Sequence, residues 1–296
     1  MQVLEKLKIK KIDKKEVSFG VLILDCPKSK NSYNSQILGR TLFDWVAFAC
    51  KGLEIKNVEW DGKENILELS KNNIISKTTY TIILLSNTPL ISGDTINSII
   101  DYCSIKKVNL CKLPVGYVTR NEYLIKNTSY SVDSVYSQNT QDFYLVETKK
   151  QFTEAEDILQ ERINTFHVRN GVEIRKSKSV YIEPDVDISS NVTIFSGNTL
   201  KGKTIIGSGV ILKENNIIEN SIIGNDCCIS ASHIERSKIH DNVYISAFSE
   251  IINCEIGKET MVSSGCKIYN RKTKDKAKFS ANSVIGENDD SNCGAR

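Results

Sequence analysis

An aliphatic residue recurs at every sixth position through much of the second half of the chain, and this period constrains the fold more than any other feature. The first seven are Ile182, Ile188, Ile194, Leu200, Ile206, Leu212 and Ile218. An α-helix would repeat at about 3.6 residues and a half-buried strand at about 2, whereas a period of about six is typical of hexapeptide solenoids, in which each hexad forms one flat face of a triangular prism. One aliphatic side chain from each face then fills the prism.

The repeat continues toward the C-terminus in steps of five or six residues. Its later members are Ile223, Ile229, Ile234, Ile239, Ile245, Ile251, Ile256, Val262 and Ile268. Many hexads also have a compact side chain four residues after the aliphatic one: Val186, Val192, Thr204, Val210, Cys227, Val243, Thr260 and Cys266. Small groups at these positions allow a corner to close. The pattern predicts about five full coils within residues 172–296.

Charge and composition exclude several classes of function. The net charge is only +3, so we expect no nucleic-acid partner, and the basic cluster at residues 271–278 is interpreted as a solvated tail loop. No apolar run approaches the roughly 18 residues of a membrane-spanning helix, and the nine scattered cysteines are typical of a reducing compartment. We therefore expect a soluble, cytoplasmic protein without membrane association.

Short apolar runs alternate with helical patterns in the first half of the chain. Residues 21–24 and 81–85 have the length and branching of buried parallel strands, and residues 41–50 and 92–102 are predicted to be helices. Strands that alternate with helices predict a small three-layer α/β domain over residues 1–151.

A helix is predicted between the two halves. Thr153 and Glu156 have the spacing of a capping box, an apolar stripe follows them, and Gly171 stands where a helix would end. We predict a helix from about residue 154 to about residue 169, inside a connecting segment of residues 152–171, that leads the chain onto the first coil.

The junction resembles a known family. Residues 157–172 read DILQERINTFHVRNGV, and residues 181–186 read YIEPDV directly before the hexads. This order is similar to that of the bifunctional UDP-N-acetylglucosamine pyrophosphorylase / glucosamine-1-phosphate N-acetyltransferase family. TLFDWV at residues 41–46 and LLSNTPLI at residues 84–91 stand in the right order for its nucleotidyltransferase domain. The resemblance implies a nucleotidyltransferase-like α/β domain, a connecting helix, a left-handed parallel β-helix and a homotrimer.

The glycine-rich phosphate loop of that family has no counterpart here. In the family, backbone N–H groups of this loop lie against the triphosphate, which requires glycine for close approach. Residues 25–31 of this chain read DCPKSKN, so Pro27 lacks an N–H and Asp25 would repel phosphate. Lys28 and Lys30 are able to attract an anion, although two lysines in a loop are usually just solvated. The segment that would read the uracil base also has no counterpart.

Three residues are candidates for substrate binding on the strength of the resemblance. Asn87 stands where the family's Gly-Asp-x-Pro-Leu segment has the aspartate that holds Mg²⁺, and an amide lacks the charge that this cation prefers. Gly116 and Tyr117 match the start of a Gly-Tyr-Gly-Arg segment that lines the sugar pocket, but Val118 replaces its second glycine. The resemblance implies a sugar nucleotide as ligand, with Mg²⁺ required only if nucleotidyl transfer remains.

The three histidines do not predict an acetyltransferase site. In the family, the catalytic histidine and the acetyl-CoA groove lie in later coils, which we expect to be absent here. We interpret His167 as part of the junction helix, His233 as occupying a small-residue corner slot, and His240 as following Ile239 in a turn. All three are predicted to be structural, so no catalytic residue is assigned. A zinc site of three histidines would need a third solenoid histidine, so no metal site is predicted.

Three hypotheses for function follow from these observations. The leading one is a degenerate, C-terminally shortened homologue without nucleotidyl- or acetyltransferase activity, which acts as a sugar-nucleotide-binding or regulatory oligomer. The alternative is an active nucleotidyltransferase or acyltransferase of altered specificity in the metabolism of UDP-N-acetylglucosamine or a related sugar nucleotide. The third is an interaction module that forms mixed trimers with a full-length homologue.

Overall fold

The computed structural model describes residues 17–25, 36–75 and 77–286. The chain divides between Ile158 and Leu159 into an N-terminal and a C-terminal unit, and this point lies inside one long helix. None of the helices in the described part of the chain combines the length and the apolar character that crossing a bilayer requires.

The N-terminal unit is built on one six-stranded mixed sheet. Its strands are β1 (Phe19–Asp25), β2 (Glu54–Glu59), β3 (Tyr80–Leu85), β4 (Leu110–Lys112), β5 (Tyr117–Arg120) and β6 (Ser134–Val135), in the order β2-β1-β3-β5-β4-β6. Only β5 runs antiparallel to its neighbours. The helices are α1 (Leu42–Ala49), α2 (Ile66–Asn72), α3 (Gly93–Lys106) and α4 (Asn121–Lys126), and a 3₁₀ turn spans Thr140–Phe143.

Alternate residues of β1 and β3 pack on opposite faces of the sheet, because successive strand side chains point to opposite sides. Val21 and Ile82 lie in a core with residues of α1 and α3, whereas Leu22 and Ile83 lie in a second core with residues of α2 and α4. The predicted three-layer arrangement of strands and helices is therefore confirmed.

The connecting helix, α5 (Lys149–Arg169), begins five residues earlier than predicted. Thr148 forms the capping box: its Oγ1 accepts a hydrogen bond from the backbone N–H of Gln151 at 3.2 Å, and Gln151 Oε1 accepts one from the N–H of Thr148 at 2.9 Å. Thr153, the predicted cap, lies inside the helix and donates to the carbonyl of Lys149. Both threonines precede a capping partner by three residues, so the spacing alone did not distinguish them. The helix ends as predicted, before Gly171, whose φ is +89°.

The C-terminal unit is a parallel solenoid with three sheets. Sheet 1 contains β7 (Glu173–Ile174), β10 (Thr193–Ile194), β13 (Ile211–Leu212), β16 (Cys228–Ile229), β19 (Tyr244–Ile245), β22 (Met261–Val262) and β24 (Lys278–Phe279). Sheet 2 contains β8 (Tyr181–Ile182), β11 (Thr199–Lys201), β14 (Ile217–Glu219), β17 (His233–Glu235), β20 (Glu250–Ile252), β23 (Lys267–Tyr269) and β25 (Val284–Ile285). Sheet 3 contains β9 (Asp187–Ile188), β12 (Ile205–Ile206), β15 (Ile222–Ile223), β18 (Lys238–Ile239) and β21 (Glu255–Ile256).

The predicted aliphatic repeat fills the solenoid. Every one of its members from Ile182 to Ile268 is buried, and so is every predicted corner residue from Val186 to Cys266. One strand before these residues, β7, and two strands after them, β24 and β25, extend the repeat, so the solenoid has about six turns rather than the five predicted.

The basic segment at residues 271–278 is part of the solenoid, so its prediction as a tail loop was wrong. The backbone of Lys272 forms an isolated parallel β-bridge with Glu255 of the preceding coil. Lys278–Phe279 is strand β24, which pairs with β22. Thr273 and Phe279 are buried while the lysines are exposed. The lysines occupy the outward positions of these coils. The inward positions contain too few aliphatic residues for the repeat to be recognised from the sequence.

The second half of α5 caps the first coil. Gln160 Oε1 accepts a hydrogen bond from the backbone N–H of Ile182 at 3.3 Å, and its Nε2 lies 3.4 Å from the Ile182 carbonyl oxygen. Buried Asn164 donates through Nδ2 to the carbonyls of Ser177 and Val180, at 3.0 and 3.1 Å. The end of a solenoid exposes unpaired backbone groups, and these two amides satisfy some of them.

Candidate functional site

The carboxyl ends of the parallel strands form one edge of the N-terminal sheet, and the candidate residues lie along it. Asp25 ends β1, Asn87 follows β3, and Lys112 ends β4. Gly116 and Tyr117 reach the same edge because β5 is antiparallel and pairs Tyr117 with both Ile83 and Lys112. Ligands of open α/β sheets bind at such an edge. The structure thus brings Asn87, Gly116 and Tyr117 to one edge, and their role in binding stays a prediction.

Asn87 is held by Val146. The Asn87 carbonyl accepts the backbone N–H of Val146 at 2.9 Å, and Asn87 Nδ2 donates to the carbonyl of Val146 across a long 3.5 Å. The side chain is only 5% exposed, and its Oδ1 has no hydrogen-bond partner among the described residues. The surroundings therefore suit a donor, because a carboxylate here would face a carbonyl oxygen at close range.

Gly116 has a conformation and a contact that exclude any side chain. Its φ is +98°, and a Cβ atom built on it would lie 2.1 Å from the carbonyl oxygen of Ile83. It forms the turn between β4 and β5, where the N–H of Leu113 donates to the Gly116 carbonyl. Glycine is thus required at this position for the fold, whether or not a ligand approaches it.

Lys112 is a potential anion-binding residue that the sequence analysis missed. Its ammonium lies 3.9 Å from the centre of the Tyr117 ring, which is close enough for a cation–π contact. Tyr117 is half-buried and packs against the core that contains Leu22 and Ile83. Lys112 could have been identified from the sequence, because it ends a short apolar strand, β4, and the carboxyl ends of such strands form the ligand edge.

The residues at this edge do not fit a Mg²⁺ ion of the kind the family resemblance implies. Asn87 supplies no charge, and Asp25 already accepts a hydrogen bond from Ser86 Oγ at 3.0 Å. Within residues 17–25, 36–75 and 77–286, no three His, Cys, Asp or Glu side chains stand close enough together to ligate one metal ion. Hard divalent cations prefer several oxygen ligands with carboxylates among them, so we derive no metal-dependent step here. Lys28 and Lys30 lie outside the described residues.

His167 is fully buried on α5. It is 1% exposed, and neither ring nitrogen has a hydrogen-bond partner among the described residues. Burial lowers the pKa of His167 to about 4, against the opposing effect of the Asp187 carboxylate. The ring is therefore neutral at physiological pH.

The other two histidines lie on the outside of the solenoid. His233 begins β17 and faces Glu235 and Glu250 at 3.9 and 4.0 Å, so its predicted placement in a corner slot was wrong. The corner slot belongs to Ser232, because a five-residue step shifts the register by one. His240 follows β18 as predicted, and its Nε2 lies 2.9 Å from Glu255 Oε1.

The fold and this edge together define a hexapeptide-repeat protein with an N-terminal α/β unit. Residues 211–294 match the family model described as GlmU-like, C-terminal hexapeptide. Residues 211–294 are thus similar to the C-terminal hexapeptide region of GlmU-like proteins, and the predicted left-handed parallel β-helix is the fold of that region.

Two curated relatives extend this similarity. The Bifunctional protein GlmU of Clostridium novyi (strain NT) is 32% identical over 58% of this chain and 46% of its own length. That of Clostridium beijerinckii (strain ATCC 51743 / NCIMB 8052) is 35% identical over 48% of this chain and 31% of its own length. The chain therefore spans less than half the length of these relatives.

Among solved structures, the acetyltransferase domain of PglB from Neisseria gonorrhoeae FA1090 in complex with acetyl coenzyme A is similar to 90% of this chain. The match covers 94% of that domain at 14% identity, with a TM-score of 0.29. A likeness at this level carries no inference about this protein.

Proposed function

We propose that this chain is a GlmU-like protein that binds a sugar nucleotide at the carboxyl edge of its N-terminal sheet without transferring a nucleotidyl group, and that it acts as a binding or regulatory protein. The observation that carries this proposal is the replacement of a metal-binding carboxylate by Asn87. That amide is buried and donates toward the Val146 carbonyl. Nucleotidyl transfer depends on neutralising charge on the phosphates, and the described residues of this edge include no carboxylate cluster for a cation that would do so.

Binding, in contrast to transfer, requires only groups that position the ligand. Gly116 keeps the edge free of a side chain beside Ile83, and Lys112 supplies a positive charge for a phosphate group. The half-buried Tyr117 ring holds the lysine at this edge through the cation–π contact. These three residues therefore support retention of a sugar nucleotide.

The second part of the proposal is an oligomer, and we favour a homotrimer. Isoleucines on the outside of all three sheets are between 41% and 46% exposed: Ile205, Ile211, Ile217 and Ile222. They lie on successive strands and form an apolar belt around the solenoid, of the kind that marks a protein interface. A full-length homologue with the same solenoid is a further candidate partner. Sedimentation equilibrium of the purified chain, alone and mixed with such a homologue, tests both assemblies.

We place this oligomer in the cytoplasm. The cysteines in the described part of the chain are all free, as is typical of proteins in a reducing compartment. Localisation of the tagged full chain in cell fractions tests this part of the proposal.

Ligand-induced stabilisation tests the binding site. Both tryptophans, Trp45 and Trp60, lie in the N-terminal unit, so their fluorescence reports its unfolding. UDP-N-acetylglucosamine at a hundredfold excess over its Kd should stabilise that unit by about 2.7 kcal/mol, with or without Mg²⁺. Lys112→Gln should remove most of this effect. Lys106→Gln is the matched control, because Lys106 also lies over a tyrosine ring, 4.4 Å from that of Tyr102, but at the end of α3.

Turnover would overturn the proposal. Metal-dependent formation of UDP-N-acetylglucosamine from UTP and N-acetylglucosamine 1-phosphate would show an active nucleotidyltransferase. Restoring the carboxylate by Asn87→Asp should not create this activity. It should instead destabilise the N-terminal unit by about 3 kcal/mol, because the new charge is buried beside the Val146 carbonyl. A stable Asn87→Asp variant that binds Mg²⁺ would contradict this account of the site.

A further inference from the structure

A groove runs along one corner of the solenoid, between sheets 2 and 3. Its volume is about 530 Å³. The described residues that line it come from four successive coils: Asn220 and Ile222; Arg236, Ser237 and Lys238; Asn253, Cys254 and Glu255; and Asn270, Arg271 and Lys272. Each coil thus contributes residues from the same places in its repeat, and the groove is a repeating feature of the corner.

The groove lies where the coils are one residue shorter. Four steps between successive inward residues at this corner are five residues long: Ile218 to Ile223, Ile234 to Ile239, Ile251 to Ile256 and Ile268 to Thr273. The corresponding step in the coil before them, from Leu200 to Ile206, has six. The shorter corners turn through a left-handed residue, with φ of 47° at Asn220, 45° at Arg236, 55° at Asn253 and 52° at Asn270. Each of these corners has one residue fewer than the corner in the coil before them, and the groove lies along the shortened corners.

Positive charge dominates the groove. Four of its residues are cationic: Arg236, Lys238, Arg271 and Lys272. Glu255 is the acidic residue among the described residues that line it, and its carboxylate is bound by Lys272 at 2.8 Å and His240 at 2.9 Å.

The cations are not all neutralised by neighbouring carboxylates. Hydrogen bonds from Lys272 and then His240 hold the pKa of Glu255 at about 2, so its charge is permanent at neutral pH. Arg236 pairs with Glu235 at 2.8 Å, whereas Lys238 forms no ion pair with any residue in the described ranges. An excess of positive charge therefore remains.

The other groups in the groove are mainly hydrogen-bond donors of modest size. Asn220, Asn253 and Asn270 occupy the same corner position in three of the four coils, with Arg236 in the coil after Asn220, and Asn253 Nδ2 donates to Asn270 Oδ1 at 2.8 Å. No aromatic side chain is present among the described residues that line the groove, so a nucleobase would find no ring to stack on. Lys238 and Lys272 lie two coils apart, which corresponds to about 10 Å at the usual strand spacing.

We infer that this corner groove binds an extended chain of phosphate groups, either free or carried on a larger molecule, with Lys238 as the main anionic contact and Lys272, the ion-pair partner of Glu255, as the second contact two coils away. The repeat of the solenoid places donors at a regular spacing along the groove, and this regularity suits a linear ligand better than a compact ion. The site is independent of the N-terminal edge, since all of its residues belong to the C-terminal unit.

Calorimetric titration of the full chain with inorganic tripolyphosphate tests the inference, with orthophosphate at matched ionic strength as the single-group comparison. Tripolyphosphate should bind at one saturable site, at least about tenfold more tightly than orthophosphate, because only the chain reaches both lysines. Lys238→Gln should weaken binding by about tenfold or more, as expected for the loss of a charge-assisted contact. Lys267→Gln is the matched control. Lys267 is also an exposed lysine at the first position of a strand, β23, but it lies outside the groove. It should leave binding within about twofold.

Three outcomes would overturn the assignment. These are absence of saturable heat up to about 1 mM tripolyphosphate, equal loss of binding in Lys238→Gln and Lys267→Gln, and equal affinity for orthophosphate. UDP in a parallel titration distinguishes a free phosphate chain from one carried on a nucleoside. A Lys238-dependent signal that requires the nucleoside would contradict a groove without aromatic residues. Lys238 is exposed, and unchanged circular dichroism of the variant will show that its fold is retained.

Discussion

Acid sensitivity of the C-terminal unit should depend on His167. In the folded chain its pKa is about 4, because the ring is buried without a hydrogen-bond partner among the described residues, whereas an unfolded histidine titrates near 6.5. Between these two values the unfolded state binds a proton that the folded state does not, so stability falls as the pH is lowered. A difference of about 2.5 units at about 1.4 kcal/mol per unit gives a loss of about 3 kcal/mol, complete near pH 4.

The substitution His167→Leu should remove this loss. Leucine is apolar, favours helices and leaves no polar nitrogen unpaired, so the variant should be at least as stable as the natural chain at neutral pH. Urea unfolding followed by far-UV circular dichroism, from about pH 7.5 to about pH 4.5, gives the difference in unfolding free energy between the two proteins. Titrating carboxylates contribute equally to both proteins and cancel in that difference.

His233→Gln serves as the matched control for that experiment. Its side chain is 38% exposed and faces two carboxylates, so it should not reproduce the effect of His167→Leu. Parallel stability curves for the natural chain and His167→Leu across this pH range would refute the reasoning. A marked loss of stability in His167→Leu at neutral pH would do the same, because it would reveal a polar partner for the ring.

Four further substitutions test the local structure at three places. Gly116→Ala should destabilise the N-terminal unit by about 3 kcal/mol in tryptophan fluorescence, since its Cβ would meet the Ile83 carbonyl, and a change below about 0.5 kcal/mol would contradict that geometry. Asn164→Ala should cost about 3 kcal/mol in the unfolding of the solenoid by circular dichroism, because two carbonyls of the first coil lose their donor; wild-type stability would refute the capping role. Thr148→Ala should cost about 1 kcal/mol and Thr153→Ala much less, and the reverse order would favour the predicted helix start over the observed one.

The shape of the C-terminal unit was readable from the sequence because one repeated property fixes it. A solenoid coil contacts only the coils beside it, so each inward residue has the same surroundings and the same requirement for an aliphatic side chain. That is why Ile182 to Ile268 were all identified as core residues. The prediction was wrong at residues 271–278, because Thr273 and, directly after this segment, Phe279 occupy the inward positions in place of aliphatic residues.

The N-terminal edge depended more on tertiary structure. Two of its six strands and two of its four helices were predicted from local patterns, and the family resemblance led to Asn87, Gly116 and Tyr117. The sequence did not show that Val146, distant along the chain, holds the Asn87 amide, or that Lys112 lies over Tyr117. Such contacts depend on which strands become neighbours, and local periodicity contains no information about strand order.

The sequence by itself determined the periodic core, the α/β alternation and the absence of glycine from residues 25–31, because each of these is a property of neighbouring residues. Only the tertiary structure decided which threonine caps α5, which histidine is buried without a partner, and that four five-residue steps align into one groove. For α5 the deciding factor is which of two equally spaced pairs forms the hydrogen bonds, and for the groove it is an atom brought close from a neighbouring coil, such as the Lys272 ammonium against the Glu255 carboxylate. The burial and the charge of a site depend on all the residues that surround it, and only the folded chain defines which residues those are.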